Sequence, residues 1–316
     1  MTTDQATDQH TPVPGLCIAW WNTGLSPTRD PKRAQETDFQ TAAAVLTHLI
    51  ETARADVIVL GEMSEYSLAE LRKCCTDGAT GPYGWTPAFH PAGRSHFSMC
   101  LLSRTDRLEI EEVKPITEKR HGSVIKVGMQ FSGRPRQGDH RLHVIASHWP
   151  SRLHLDRRDP ERTHIAAFLR RWIDDRILDF DAKANVVLLG DYNDEPFDEG
   201  MERHLCASRD RGKVLRNPSL FYNPFWRHLN RFPPSPAEAS QCDAGSYFHH
   251  GDRFSHWHTF DQLIVSSALL FGRSGWRLDE AHTRVATVPR LEGDKQLPHG
   301  LFDHLPIIGH LDRHPS

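Results

Sequence analysis

The feature that most constrains this chain is a set of short, mainly apolar runs, each of which stops at a polar side chain. Residues 16–21 stop at Asn22, and 56–60 stop at Gly61-Glu62. Residues 141–147 stop at His148, and 185–189 stop at Gly190-Asp191. Runs of this length, rich in β-branched residues, read as buried strands. A strand apolar on both sides must be covered on both faces. Helical spacing supplies some of that cover. Phe39, Ala43, Val45, Leu46, Leu49 and Ile50 recur at helical intervals within 34–52,. Ile165, Phe168, Leu169, Trp172 and Ile173 do the same within 160–178, and a shorter helix is expected over 67–75,. Further strands are expected at 98–103, 123–131, 260–266 and 305–308, and irregular structure over 208–258. The pattern predicts an α/β (α+β) protein in which sheets carry helices on one face and a second sheet on the other.

Composition narrows the class. With 38% hydrophobic and 25% charged residues the chain of 316 suits a globular protein,. Its net charge of -3 supplies no global basic field, so any polyanion must be held by a local patch,. The six cysteines show neither a disulfide framework nor zinc-site spacing, which favours a reducing compartment,. Residues 1–14 are expected to be a disordered tail, without the apolar core of a signal peptide. No run reaches membrane-spanning length. With no internal repeat or low-complexity linker, 15–316 are expected to form one catalytic domain of a cytoplasmic protein.

The polar residues at the strand ends suit one chemistry. Asn22, Glu62 and Asp303 offer hard oxygen donors of the kind magnesium or manganese prefers,. His148, Asp191, Asn193, Asp261 and His304 can move protons and hold a phosphate,. No serine or cysteine nucleophile motif is present, so water is the attacking group. Each residue also has an ordinary explanation. Asn22 can end a turn, His148 can pack against Trp149, Asp261 can bond a backbone amide, and Glu62 and Asp303 can be solvated charges. Singly these explanations win; together, in order and at strand ends, they are hard to credit to chance.

These residues resemble the endonuclease/exonuclease/phosphatase superfamily, the group of pancreatic deoxyribonuclease, abasic-site endonucleases, neutral sphingomyelinases and inositol polyphosphate 5-phosphatases. The strongest pieces are Leu-Leu-Gly-Asp-Tyr-Asn-Asp-Glu-Pro from Leu188 and Phe-Asp-His-Leu-Pro from Phe302. Weaker pieces are Trp-Trp-Asn from Trp20, Leu-Gly-Glu from Leu60, Ser-His-Trp-Pro-Ser from Ser147 and Phe-Asp-Gln-Leu-Ile-Val-Ser from Phe260. The resemblance implies a four-layered α/β sandwich, with two mixed sheets face to face and helices outside. It implies that Glu62 is the main ligand of Mg2+ (or Mn2+), helped by Asn22 and Asp303. It implies that Asp191 positions or deprotonates water and that Asn193 holds the scissile phosphate. His304 would contact the phosphate or act as base, oriented by Asp261, and His148 would bind the phosphate or serve the leaving group. Three places depart from relatives: Gly24 stands where some abasic-site enzymes carry aspartate, His148-Trp149 where they carry a tyrosine region, and Tyr192 where phenylalanine is commoner.

A nuclease acting on DNA is the expected function. Arg94, Arg120 and Arg152 are the expected substrate contacts, within clusters that also include Arg29, Lys32, Arg33, Lys119, Arg157 and Arg158,. The segment Phe221 to Trp226 could stack on bases but reads first as a packed turn. The alternative function is a phosphodiesterase or phosphatase on a small ester. An inactive binding module is the third reading, disfavoured because all eight core residues are present.

Overall fold

A computed structural model of the chain describes residues 15–27, 30–75, 77–93, 95–136, 140–153, 155–230, 244–288 and 297–314. The expected tail lies outside them, as do Arg29, Arg94 and Cys242. Two large mixed sheets stack face to face. The first runs, in spatial order, Trp276–Val285, Ile307–Arg313, Leu16–Asn22, Val57–Gly61, Met99–Arg104 and Tyr83–Ala88. The second runs Ala207–Ser208, Phe221–Tyr222, Asp261–Val265, Asn185–Asp191, Leu142–His148, Ser123–Pro135 and Leu108–Arg120.

Strand periodicity explains why the central strands are apolar throughout. In Leu16–Asn22 the side chains of Leu16, Ile18 and Trp20 enter the core between the sheets, with Val57, Val59, Val144, Ala146, Val187, Leu189, Leu263 and Val265. The alternate residues Cys17, Ala19 and Trp21 face the other way and pack with Phe39, Leu46 and Leu49 of the helix Glu36–Glu51. On the far side, Ile145, Val186, Leu188 and Ile264 meet Ile165, Leu169 and Ile173 of the helix Pro160–Ile173. The result is the expected helix–sheet–sheet–helix sandwich.

Differences from the sequence reading fall at the edges. Leu108–Arg120 is a thirteen-residue strand, hidden in the sequence by its charges and by Pro115. It is an outermost strand, where exposed charged side chains and proline are tolerated. Trp276–Val285 edges the other sheet in the same way. The helix expected over 160–178 is α-helical to Ile173 and ends in a π turn, Asp174–Leu178. Within 208–258, expected to be irregular, a helix Arg211–Arg216 and a hairpin of Tyr247–Phe248 with Trp257–His258 are formed. Phe221 to Phe225 are buried, so this segment is a packed turn and not a base-stacking wedge. No helix among the described residues is long and apolar enough to cross a membrane.

Candidate active site

The site is assembled because each strand carries its polar residue at the next inward position beyond its last core residue. Asn22 follows Trp20, Asp191 follows Leu189 and His148 follows Ala146 on the inner faces, while Asp261 precedes Leu263. Register then sets neighbours. Asp191 is paired with His148 on its parallel neighbour and with Asp261 on its antiparallel one. Asn22 is paired with Gly61, so Glu62 emerges beside it. Gly190 in the Gly-Asp-Tyr-Asn turn has a φ of +147°, and a Cβ there would lie 1.9 Å from the Ser147 carbonyl oxygen. Only glycine fits so close an approach.

Two hydrogen bonds join the sheets at this end. Asn22 Nδ2 donates to Asp191 Oδ2 at 3.2 Å, and Trp20 Nε1 donates to Asp261 Oδ1 at 2.7 Å. Gly61 makes room for the second bond, since a Cβ there would lie 2.6 Å from the Trp20 indole. The other Asp261 oxygen lies 2.7 Å from Nδ1 of His304, and both residues are buried. Asp261 also accepts from Trp20 and has no proton to donate, so His304 Nδ1–H donates to it, which leaves Nε2 for the site. That nitrogen is 3.7 Å from Asp191 Oδ2. Burial opposes a charged ring, but the Asp261 and Asp191 carboxylates outweigh it and lift His304 to about 10,. Burial also pushes the Asp261 carboxyl upward. The proton nonetheless rests on the ring, which faces a second carboxylate while the Trp20 bond favours ionised Asp261.

Asn193 has a left-handed backbone with φ 51°. Its N–H donates to Asp191 Oδ1 at 2.9 Å, and its Nδ2 donates to the Trp149 carbonyl at 3.1 Å. Glu62 is also left-handed, at φ 52°. No N–H or O–H among the described residues hydrogen bonds to its carboxylate, and His148 Nε2 lies 3.8 Å away. The same His148 nitrogen is 3.8 Å from Asp191. Asp303 precedes His304, and its carbonyl accepts from Phe248 N–H at 2.9 Å.

Tyr247, which the sequence reading did not single out, marks where these acids converge. Its ring centroid is 4.5 Å from that of His304, and it stacks on Phe260 at 5.3 Å. Burial pushes its hydroxyl upward, followed by the charges of Asp303, Asp191, Glu62 and Asp261. A divalent cation fits this arrangement. Asp191, Asp261 and His304 have ligand atoms within 4.8 Å of one another. Within it, however, each Asp261 oxygen is already engaged, one by Trp20 and the other by His304. Glu62, Asn22 and Asp303 add oxygen donors, with Asn22 Oδ1 accepting from Gly24 N–H at 3.2 Å.

Of the expected substrate contacts, Arg94 lies outside the described residues. Arg120 stands near the tip of the hairpin formed by the two outer strands, 3.8 Å from Glu161. Arg152 differs from expectation. Its Nε donates to the Asn193 carbonyl at 2.8 Å, its Nη2 pairs with Asp198 at 2.7 Å, and its guanidinium lies 4.4 Å from the Phe260 ring. It braces the Asn193 turn. Arg157 also pairs with Asp198. A further brace escaped the sequence reading. Arg162, 1% exposed, pairs with Asp194 at 3.2 Å and donates to the carbonyls of Pro150, Leu155 and Asp156. It ties the loop after His148 to the turn after Asn193.

The fold has solved counterparts. The human Nocturnin catalytic domain with bound sulfate superposes with a TM-score of 0.58 at 13% identity, covering 96% of this chain and 97% of that one. D. rerio TDP2 complexed with a single-strand DNA product gives 0.59 at 16% identity, covering 94% and 99%. A functionally unknown conserved protein from Enterococcus faecalis V583 gives 0.59 at 14%, covering 95% and 100%. At these identities the likeness is one of fold. No curated protein sequence matches significantly. The family model for endonuclease/exonuclease/phosphatase proteins matches residues 30–306, and the chain belongs to that family.

Proposed function

We propose that the protein hydrolyses phosphodiester bonds with a divalent metal and an activated water, and that its substrate is DNA. The family's enzymes are in general phosphoester hydrolases that use a divalent metal. The observation that carries the reading is the run of hydrogen bonds from Trp20 through Asp261 to His304, whose Nε2 lies 3.7 Å from Asp191, with His148 Nε2 3.8 Å from both Asp191 and Glu62. Glu62, Asn22 and Asp303 would hold magnesium or manganese, which would offset charge developing on the phosphate oxygens. Asp191, fixed through both carboxylate oxygens, orients the attacking water and accepts its proton. Asn193 keeps one amide N–H beyond its bond to Trp149 for a phosphate oxygen,. His304, held charged by Asp261, donates from Nε2 to the phosphate. His148, on the Glu62 side of Asp191, serves the phosphate or the leaving oxygen.

TDP2, with its single-strand DNA product, supports a nucleic-acid substrate by analogy of fold. The net charge of -3 favours the alternative of a small phosphoester. The test is a substrate panel with magnesium and with manganese: supercoiled plasmid, linear duplex, single-stranded DNA, RNA, a generic phosphodiester and a phosphomonoester. DNA cleavage is expected. Hydrolysis of small esters alone, with every nucleic acid intact, refutes the nuclease reading, and undiminished activity in EDTA refutes the metal.

A further inference from the structure

The cleft has a second region, on the Glu62 side, that the hydrolytic residues leave unused. Lys126 stands on the inward stripe of Ser123–Pro135, two positions from Val124, which packs against the core between the sheets. Its Nζ donates to the His96 carbonyl at 2.9 Å and lies 6.0 Å from the Phe97 ring. Burial pulls its ammonium pKa down, opposed by the Glu62 charge. The loop leaving Glu62 is tied to the same wall, since Met63 N–H donates to the Ser98 carbonyl at 2.9 Å. Beyond that tie the chain opens a cavity of about 380 Å³, lined by Lys32, Ser64, Glu65, Tyr66, Phe89 and His96. Tyr66 is 41% exposed. One side of its ring carries the Lys32 ammonium at 5.6 Å, and Phe39 meets it edge-on at 6.0 Å. No carboxylate pairs with Lys32 among the described residues.

Such a site suits a ligand with one planar ring and one anionic group. Aromatic side chains give a sequence-tolerant stacking surface for bases, and lysines serve as point charges for phosphate. A pocket of this size matches a single small unit, not the side of a duplex. We propose that the strip from Lys126 to the Tyr66–Phe89 pocket is the subsite for the nucleotide next to the bond that is cut: Lys126 and Lys32 take its phosphate and the pocket takes its base. This rests on the nuclease reading given above. It also implies that an unpaired strand is the form of DNA accepted, because a paired base cannot leave its stack to enter a pocket without the cost of unstacking.

The experiment compares kcat/KM on a single-stranded oligodeoxynucleotide with kcat/KM on bis(p-nitrophenyl) phosphate, which has no second phosphate and no base. Lys32→Met, at an exposed site, and Lys126→Met, close to isosteric, are the variants, with circular dichroism and Tm confirming the fold. Each is expected to lower the oligonucleotide value about tenfold more than the small-ester value, because a charge-assisted bond to the second phosphate is lost. Replacing the base beside the scissile phosphate by an abasic residue should produce a similar loss in the wild type, and little further loss in Tyr66→Leu. Equal losses on both substrates, or none on either, overturn the subsite and reduce Lys126 to a prop for the 96–98 wall. A wild type that cleaves only the small ester overturns the nuclease reading itself, and the subsite with it.

Discussion

Arg162→Met tests whether the catalytic turns are held by a buried ion pair. Arg162 and Asp194 side chains are each 2% exposed and 3.2 Å apart. Burial opposes both charges, drawing Arg162 down and lifting Asp194 to about 7. Removing the guanidinium strips Asp194 of its partner and frees the carbonyls of Pro150, Leu155 and Asp156. Breaking a pair buried this deeply costs about 3–5 kcal/mol. For a chain of this size, at roughly 2–3 °C for each kcal/mol, the Tm should fall by roughly 6–15 °C. Arg162→Met/Asp194→Leu should regain a large part of that loss, because well-packed apolar replacements of a buried pair are often close to neutral. The assay is urea and thermal unfolding of both singles and the double, at neutral pH in EDTA, so that metal binding does not mask the effect. Phosphodiesterase activity should fall further than stability explains, because the pair ties the His148 loop to the Asn193 turn. A single variant within about 1 kcal/mol of wild type refutes the reasoning, as does a double variant whose loss is the sum of the singles.

Three further outcomes follow from the same geometry. Asp191→Asn and His304→Ala should each lower kcat by several orders of magnitude with little change in circular dichroism if both have the proposed transition-state roles; loss of less than tenfold in steady-state kinetics excludes those roles. Gly190→Ala should destabilise the protein by at least about 3 kcal/mol, or prevent soluble expression, since its Cβ meets the Ser147 carbonyl at 1.9 Å; a near-normal Tm would show the strands can separate there,. Burial, reinforced by Arg141, depresses His143 to about 4. The unfolded chain therefore binds a proton that the folded chain refuses between about 6.5 and 4, and stability present above that window is lost as pH falls through it. His143→Gln should flatten that part of the stability–pH curve, measured by urea unfolding at each pH.

What the sequence shows of this fold depends on whether local pattern and burial coincide. The central strands were legible because both of their faces are covered, which leaves an unbroken apolar run. The outer strand Leu108–Arg120 was not, because one side is exposed and its charges mimic a loop. The hairpin around Tyr247 was not, because its strands are two residues long and its place depends on bonds to the chain near Asp303 and Leu305. Tyr247 thus lacked any periodic signal. Lys126 had one: it occupies an inward position between Val124 and the core, where a lysine is out of place unless it faces a cleft.

The same distinction separates the chemistry from the substrate. Asn22, His148, Asp191 and Asp261 sit on rigid strands, and period two makes each the direct continuation of a core stripe. Their convergence follows once two sheets are stacked, so a reading of strand ends reaches the hydrolytic step. Substrate choice depends on side chains that leave the strands. Arg152 shows why sequence fails there: placed three residues after Trp149, it looks like a free cation, yet Asp198 and the Asn193 carbonyl take it inward. Lys32, from an equally unremarkable loop, pairs with no carboxylate among the described residues and rests on an exposed ring. A loop cation can bind a phosphate only if no internal acid claims it first, and that depends on chain partners 46 residues away for Arg152, a separation no local pattern encodes.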